Sequence, residues 1–143
     1  MELSIVIPTY NEEKNVIAVY NSLVDKLSSI KKEHEIIFID DGSTDSTLDA
    51  LKSLRDKDKR IKIISFTKNF KKGSALAAGL KRASGNIVIT MDSDMQDNPD
   101  EIPKLLSKLE EGYDMVVGWK YPRKDPLNKI LASKVFSGFC SIL

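Results

Sequence analysis

The chain has 143 residues, enough for one ordinary domain and too few for two independent ones. Its 41% hydrophobic and 30% charged residues describe a soluble folding unit and exclude disordered, collagen-like and disulfide-scaffold classes. With 22 Lys and Arg against 21 Asp and Glu, the net charge is +1, so no nucleic-acid partner is expected and any anion binding has to be local.

Short β-branched runs alternate with longer segments of helical period, which predicts an α/β fold around a mostly parallel sheet with helices on both faces. The first strand is expected at Leu3 to Ile7, ended by Pro8. A helix from about Glu12 then places Val16, Ile17, Val19, Tyr20, Leu23, Val24 and Leu27 at core-facing spacing. The second strand, Glu35 to Ile39, is an almost unbroken apolar run of the kind buried on both faces. Asp40-Asp41-Gly42-Ser43-Thr44-Asp45 reads as a turn before a helix carrying Leu48, Leu51 and Leu54.

A third strand is expected at Ile61 to Ser65, then a loop through Lys72 and a helix from Gly73 to Ala83 with Gly85 as its stop. The fourth strand is Ile87 to Met91. Asn98-Pro99-Asp100-Glu101 is a sharp helix start with a capping box, and that helix should run to Gly112. A fifth strand is expected at Met115 to Gly118, followed by a basic loop to Pro126. The last segment, 127–143, sets Leu127, Ile130, Leu131, Val135, Phe139 and Ile142 on one helical face, so the division expected is an α/β domain over 1–126 and an amphipathic helix beyond it.

Ligands of open parallel sheets bind beyond the carboxyl ends of the strands, and three of those ends are polar or acidic here. They are Pro8-Thr9-Tyr10-Asn11-Glu12, Asp40-Asp41 and Asp92-Ser93-Asp94-Met95-Gln96. Asp92 and Asp94, two apart, point the same way if extended geometry persists, and two like charges need a counter-ion. Mg²⁺ fits, because it takes one or two protein carboxylates and completes its shell with water and phosphate oxygens. Gln96 can add a carbonyl oxygen. The plainer alternative, that these acids only cap the following helix, is weakened by Asn98, which already supplies the cap. Asp40 and Asp41 alone suit turn chemistry as well as ligand binding, but their place at the end of a central strand favours acceptors for a ribose or base edge, while Tyr10 suits a base platform or a core lid.

Neither G-x-G-x-x-G nor a P-loop occurs, so phosphate has to be held by metal and side chains, with Lys68, Lys71, Lys72, Lys120, Arg123, Lys124 and Lys129 as candidates. His34 and Cys140 read as structural. A lone cysteine fits a reducing compartment, the N-terminus lacks the pattern of a signal peptide, and no apolar run approaches the roughly 20 residues of a membrane span.

Together, Ile5-Val6-Ile7-Pro8-Thr9-Tyr10-Asn11-Glu12, Asp40 to Asp45 and Met91 to Gln96 resemble the family 2 glycosyltransferases. Thr67-Lys68-Asn69-Phe70, Gly73, Ala83-Ser84-Gly85 and the Asp-x-Asp-x-Gln form of the acidic motif resemble the polyprenyl-phosphate branch, which includes dolichol-phosphate mannose synthases and undecaprenyl-phosphate glycosyltransferases. The resemblance implies a GT-A-like, Rossmann-like fold and transfer, with inversion, of a hexosyl group from a UDP- or GDP-sugar to a polyprenyl phosphate. It implies nucleotide contacts from Pro8, Tyr10, Glu12, Ile39, Asp41, Asp92 and Ser93, and Mg²⁺ or Mn²⁺ held by Asp92, Asp94 and Gln96, the two aspartates being catalytic. Lys120, Lys129 and Ser133 match positions associated with donor or acceptor phosphates, with lysine at two positions where arginine is usual.

Family members of this type continue well beyond the length of this chain, so a C-terminally shortened member is expected. In longer relatives the final helix lies near the cytoplasmic face of the membrane, and its apolar stripe suits a membrane surface or a second copy of the chain. Two alternatives are a fragment that binds nucleotide and metal without turnover, and a relative acting on a sugar acceptor.

Overall fold

A computed structural model describes residues 1–118, which include all of a first compact unit, Met1–Lys104, and the start of a second beginning at Leu105. In the first unit the chain alternates strand and helix: β1 (Leu3–Thr9), α1 (Val16–Ile30), β2 (His34–Asp40), α2 (Thr47–Lys57), β3 (Ile61–Ser65), α3 (Lys71–Arg82) and β4 (Ile87–Thr90). All pairings are parallel, in the order β3-β2-β1-β4. The expected α/β architecture is therefore present. From β1 the chain steps one way to β2 and β3, then returns to lay β4 on the other side of β1. That reversal puts the topological switch point between β1 and β4, where open sheets of this kind leave a crevice.

Val6, Ile37 and Ile39 turn one way from the sheet and pack with Ala75 of α3. Ile5, Ile7, Ile36 and Phe38 alternate to the opposite face and are equally buried. Both faces are therefore covered, which is why β2 reads as a continuous apolar run. Gly79 lets α3 lie close to the sheet, since a Cβ there would stand 2.4 Å from Val6 Cγ1 and 2.7 Å from Ile39 Cδ1.

Several boundaries differ from expectation for identifiable reasons. β1 continues through Pro8 to Thr9. Along β1, the carbonyls of Glu2 and Val6 accept bonds from the β4 side while that of Thr9 accepts from Asp41 on the β2 side. Pro8 thus directs its missing N–H toward β4, past the last paired residue Thr90, and no ladder bond is lost. α1 starts at Val16 instead of Glu12, because residues 11–13 are bonded to the loop after β2. It buries Val16, Val19, Leu23 and Leu27 and leaves Ile17 exposed. Gly85 does not stop α3 with a left-handed turn. It allows close approach to β1, where a Cβ would sit 2.6 Å from the Leu3 carbonyl carbon.

Asn98 caps the next segment by accepting from the Asp100 N–H at 3.0 Å, but the first turn, Pro99–Glu101, is a 3₁₀ helix. The Glu101 carboxylate takes up Lys104 instead of closing the box. α4 follows at Ile102–Glu110, ending short of Gly112. Residues 115–118, expected as a fifth strand, are irregular, with Met115 and Val117 each 77% exposed. Apolar and β-branched residues make a strand only where a neighbour completes the ladder, and among the described residues the sheet ends at β4. The amphipathic helix expected over 127–143 lies outside the described residues.

At the amino end of the sheet, Glu35 is 1% exposed and ionised. Ser4 Oγ donates to it at 2.6 Å, Ser84 N–H at 2.7 Å and Ser84 Oγ at 2.8 Å, and Lys62 forms an ion pair with its other oxygen. Burial pushes its carboxyl up, but the bonds from Lys62, Ser4 and Ser84 outweigh it and hold the pKa at about 2 against an ordinary 4.5. A carboxylate depressed in the folded state contributes stability that is whole above pH 4.5 and is lost as pH falls through 2. Glu35→Gln should cost about 2 kcal/mol in urea denaturation at pH 7 and much less near pH 2. An equal loss at both pH values would contradict this account.

Candidate functional site

A cleft of about 310 Å³ opens beyond the carboxyl ends of the strands. Pro8, Thr9, Tyr10 and Glu12 line it after β1, Asp41 after β2, Asn69, Lys71 and Lys72 after β3, and Asp92, Ser93 and Asp94 after β4. The segments after β1 and β4 flank the switch point. Four strand ends contribute, where the sequence pointed to three.

Each wall is held by its own bonds. Asp41 N–H donates to Thr9 O at 2.8 Å, and Asp41 Oδ1 accepts from Phe70 N–H at 2.7 Å, which ties the loop after β3 to the end of β2. Asp40 supports the same corner, accepting from Ser43 N–H and Ser65 Oγ, and so serves as turn chemistry. Asn11, in the left-handed region at φ 55, accepts from Thr44 N–H at 2.8 Å. Thr47 Oγ1 receives Glu12 N–H at 2.8 Å and itself donates to Asp45. Burial pushes Asp45 up, but bonds from Thr47 and from the Glu13 N–H outweigh it and hold it below the usual carboxylate range, so this stitch stays charged.

On the β4 side, Ser93 Oγ donates to Pro8 O at 3.1 Å, fastening the acidic segment to β1. Asp92 N–H donates to Asp97 Oδ2 at 2.7 Å, and Gln96 N–H to Asp94 Oδ1 at 3.0 Å. Asp92 is half-buried, Asp94 exposed, and Lys72 Nζ forms an ion pair with Asp92 Oδ1. The Lys72 side chain is 58% exposed, so that pair contributes about 0–1 kcal/mol.

The structure thus brings Pro8, Tyr10, Glu12, Asp41, Asp92, Ser93 and Asp94 to one cleft. Tyr10 is 43% exposed, with its ring open to an incoming group and not closed into the core. Ile39 is elsewhere: its side chain is fully buried against α3, and only its carbonyl turns toward this end of the sheet, accepting from Thr9 Oγ1. Gln96 is exposed and does not line the cleft. Of the loop lysines, Lys71 and Lys72 line it, whereas Lys68 stands over the Phe70 ring. Lys120, Lys129, Ser133, Arg123, Lys124 and Cys140 lie outside the described residues. Thr9, within the polar end of β1, and Asn69 also line the cleft, although the sequence alone does not single them out as ligand contacts. The sequence signal for Asn69 was its place beside the lysines in the loop after β3.

Among the described residues no three His, Cys, Asp or Glu side chains form a ready-made metal centre. The donor set present, two carboxylates on one wall of an open cleft, nonetheless suits a hard divalent ion that draws its remaining ligands from water and a bound phosphate. Among the described residues no helix is long and apolar enough to cross a membrane.

The chain is similar to several known proteins. An uncharacterized glycosyltransferase of Synechocystis sp. is 44% identical over 124 residues, covering 87% of this chain and 39% of the relative. The undecaprenyl-phosphate 4-deoxy-4-formamido-L-arabinose transferase of Salmonella choleraesuis is 36% identical over 137 residues, covering 95% of this chain and 42% of the relative. The chain therefore spans about two fifths of the length of these relatives. Among solved structures, glucosyl-3-phosphoglycerate synthase from Mycobacterium tuberculosis, in complex with Mn²⁺ and UDP-glucose, superposes with a TM-score of 0.61 at 28% identity, over 78% of this chain and 40% of that one. The fold is that of the GT-A glycosyltransferases. Because the sequence model of Glycosyl transferase family 2 matches residues 4–138, nearly the whole chain, this protein belongs to that family.

Proposed function

We propose that the cleft is a donor site for a UDP- or GDP-sugar, and that the protein transfers a hexosyl group from it to a polyprenyl phosphate, with a divalent metal and with inversion. The observation that carries the reading is the gathering of Asp92, Asp94, Tyr10 and Asp41 on one cleft at the switch point. Tyr10 offers a face for the base, and Asp41 an anchored acceptor for ribose or base N–H and O–H groups. Ser93, fixed on Pro8, sets the distance between the acidic segment and the nucleotide wall. Asp92 and Asp94 would hold Mg²⁺ or Mn²⁺, whose chemistry when bound is Lewis-acid stabilisation of the leaving diphosphate, worth several kcal/mol.

In the reaction, an oxygen of the acceptor phosphate bonds to the anomeric carbon from the face opposite the diphosphate. The carbon–oxygen bond to the diphosphate breaks, and the nucleoside diphosphate leaves with its electron pair. A phosphate oxygen is already anionic near neutral pH, so no protein base has to take a proton. The polyprenyl acceptor is supported by the Salmonella relative, whose name states undecaprenyl phosphate. Placement at the cytoplasmic face of a membrane goes with that acceptor.

Titration calorimetry with UDP and GDP, each with Mn²⁺ and then with EDTA, tests the donor site. One of the two is expected to bind at least about tenfold more tightly with the metal. Metal-independent binding, or none of either, would remove the reading.

A further inference from the structure

Lys72 lines the cleft and its ammonium is paired with Asp92, one of the two carboxylates proposed to hold the metal. We propose that Lys72 is an exchangeable counter-ion: it neutralises Asp92 while the cleft holds no cation, yields that carboxylate to a divalent ion, and then carries its ammonium to the donor's diphosphate. This deepens the donor-site reading and rests on it.

Three observations carry it. First, the pair is asymmetric, the Asp92 side chain being 27% exposed and that of Lys72 58%. The carboxylate is fixed in the wall while the ammonium is free to swing on a four-carbon stem, and a surface pair of this kind is weak enough to exchange. Second, Lys72 lies in the first turn of α3, and the residue before it, Lys71, holds φ 75, a left-handed conformation uncommon for a side-chain-bearing residue. Asn69 Oδ1 accepts from the Lys71 N–H at 3.0 Å, and the loop before it is tied to Asp41 through Phe70. The backbone conformation there delivers two lysines to the cleft. Third, among the described residues the four carboxylates that line the cleft, Glu12, Asp41, Asp92 and Asp94, outnumber its two ammonium groups, Lys71 and Lys72, so the rim attracts a cation, and those two lysines are the lining groups that can meet a diphosphate.

Calorimetry on the intact chain provides the test, with Mn²⁺ alone and then with UDP and GDP in saturating Mn²⁺. Lys72→Met should bind Mn²⁺ about three- to fivefold more tightly, because a competing cation is gone, and should bind the preferred diphosphate nucleotide about tenfold more weakly. Lys72→Arg should restore nucleotide affinity to within about threefold. Lys81→Met, the same charge change at the far end of α3, should move neither affinity, and UMP or GMP should show no Lys72 penalty. Opposite shifts in the two affinities are the signature of exchange. Shifts in one direction, or none, overturn the proposal, and if the wild-type chain still binds nucleotide through Mn²⁺ the donor-site reading survives. A wild-type chain that binds no nucleotide through Mn²⁺ overturns both.

Discussion

Asp92→Asn is expected to lower affinity for the preferred nucleoside diphosphate in Mn²⁺ by about a hundredfold, to the level that the wild-type chain shows in EDTA. Losing a partner that merely orients a metal ligand costs about ten- to a hundredfold, so removal of a direct carboxylate ligand belongs at the top of that range. The Asp92 N–H bond to Asp97 is a backbone bond that the substitution keeps, and the ion pair with Lys72 is exposed and contributes about 1 kcal/mol at most. Asp94→Asn should act in the same direction, since an amide oxygen still accepts the Gln96 N–H that shapes the turn. Calorimetry of both variants beside their urea midpoints separates loss of ligand from loss of fold. Nucleotide affinity that survives both substitutions would mean that this acidic segment does not grip the diphosphate through a metal.

Gly42→Ala should destabilise the chain by about 3 kcal/mol or more. The residue holds φ 70, where an alanine costs about 1–2 kcal/mol. A Cβ there would also lie 2.4 Å from the Lys68 carbonyl carbon, 2.6 Å from Lys68 Cα and 2.8 Å from Asn69 N. These are backbone atoms that cannot rotate aside, so the loop itself would have to move, at about 1–3 kcal/mol. That loop carries Asn69, Lys71 and Lys72 to the cleft, and the loss of stability should come with weakened nucleotide binding. Gly73→Ala is the contrasting case: nothing lies within 4 Å of its Cβ position in α3, and the helix should gain about 0.5–1 kcal/mol. Comparable urea midpoints for the two variants would refute the steric account.

The amino-acid order by itself determined the alternation of strand and helix, the burial of β2 on both faces, the Asn98 cap and the pairing of Asp92 with Asp94 at one strand end. Each of these is local: periodicity, capping and the repulsion of neighbouring carboxylates act between residues a few positions apart. Tertiary structure decided the rest. Strand order put the residues after β1 and β4 side by side across the switch point, and no local pattern reveals which strands become neighbours. It selected Lys71 and Lys72 over Lys68, because the loop after β3 is anchored through Phe70 to Asp41, twenty-nine residues away in the chain. It turned Ile39 into the core, through the pleat that sends alternate residues to opposite faces, and it made Gly85 a point of close approach to β1 instead of a helix stop. Such outcomes depend on which backbones touch, and contacts between distant segments exist only once the sheet has assembled.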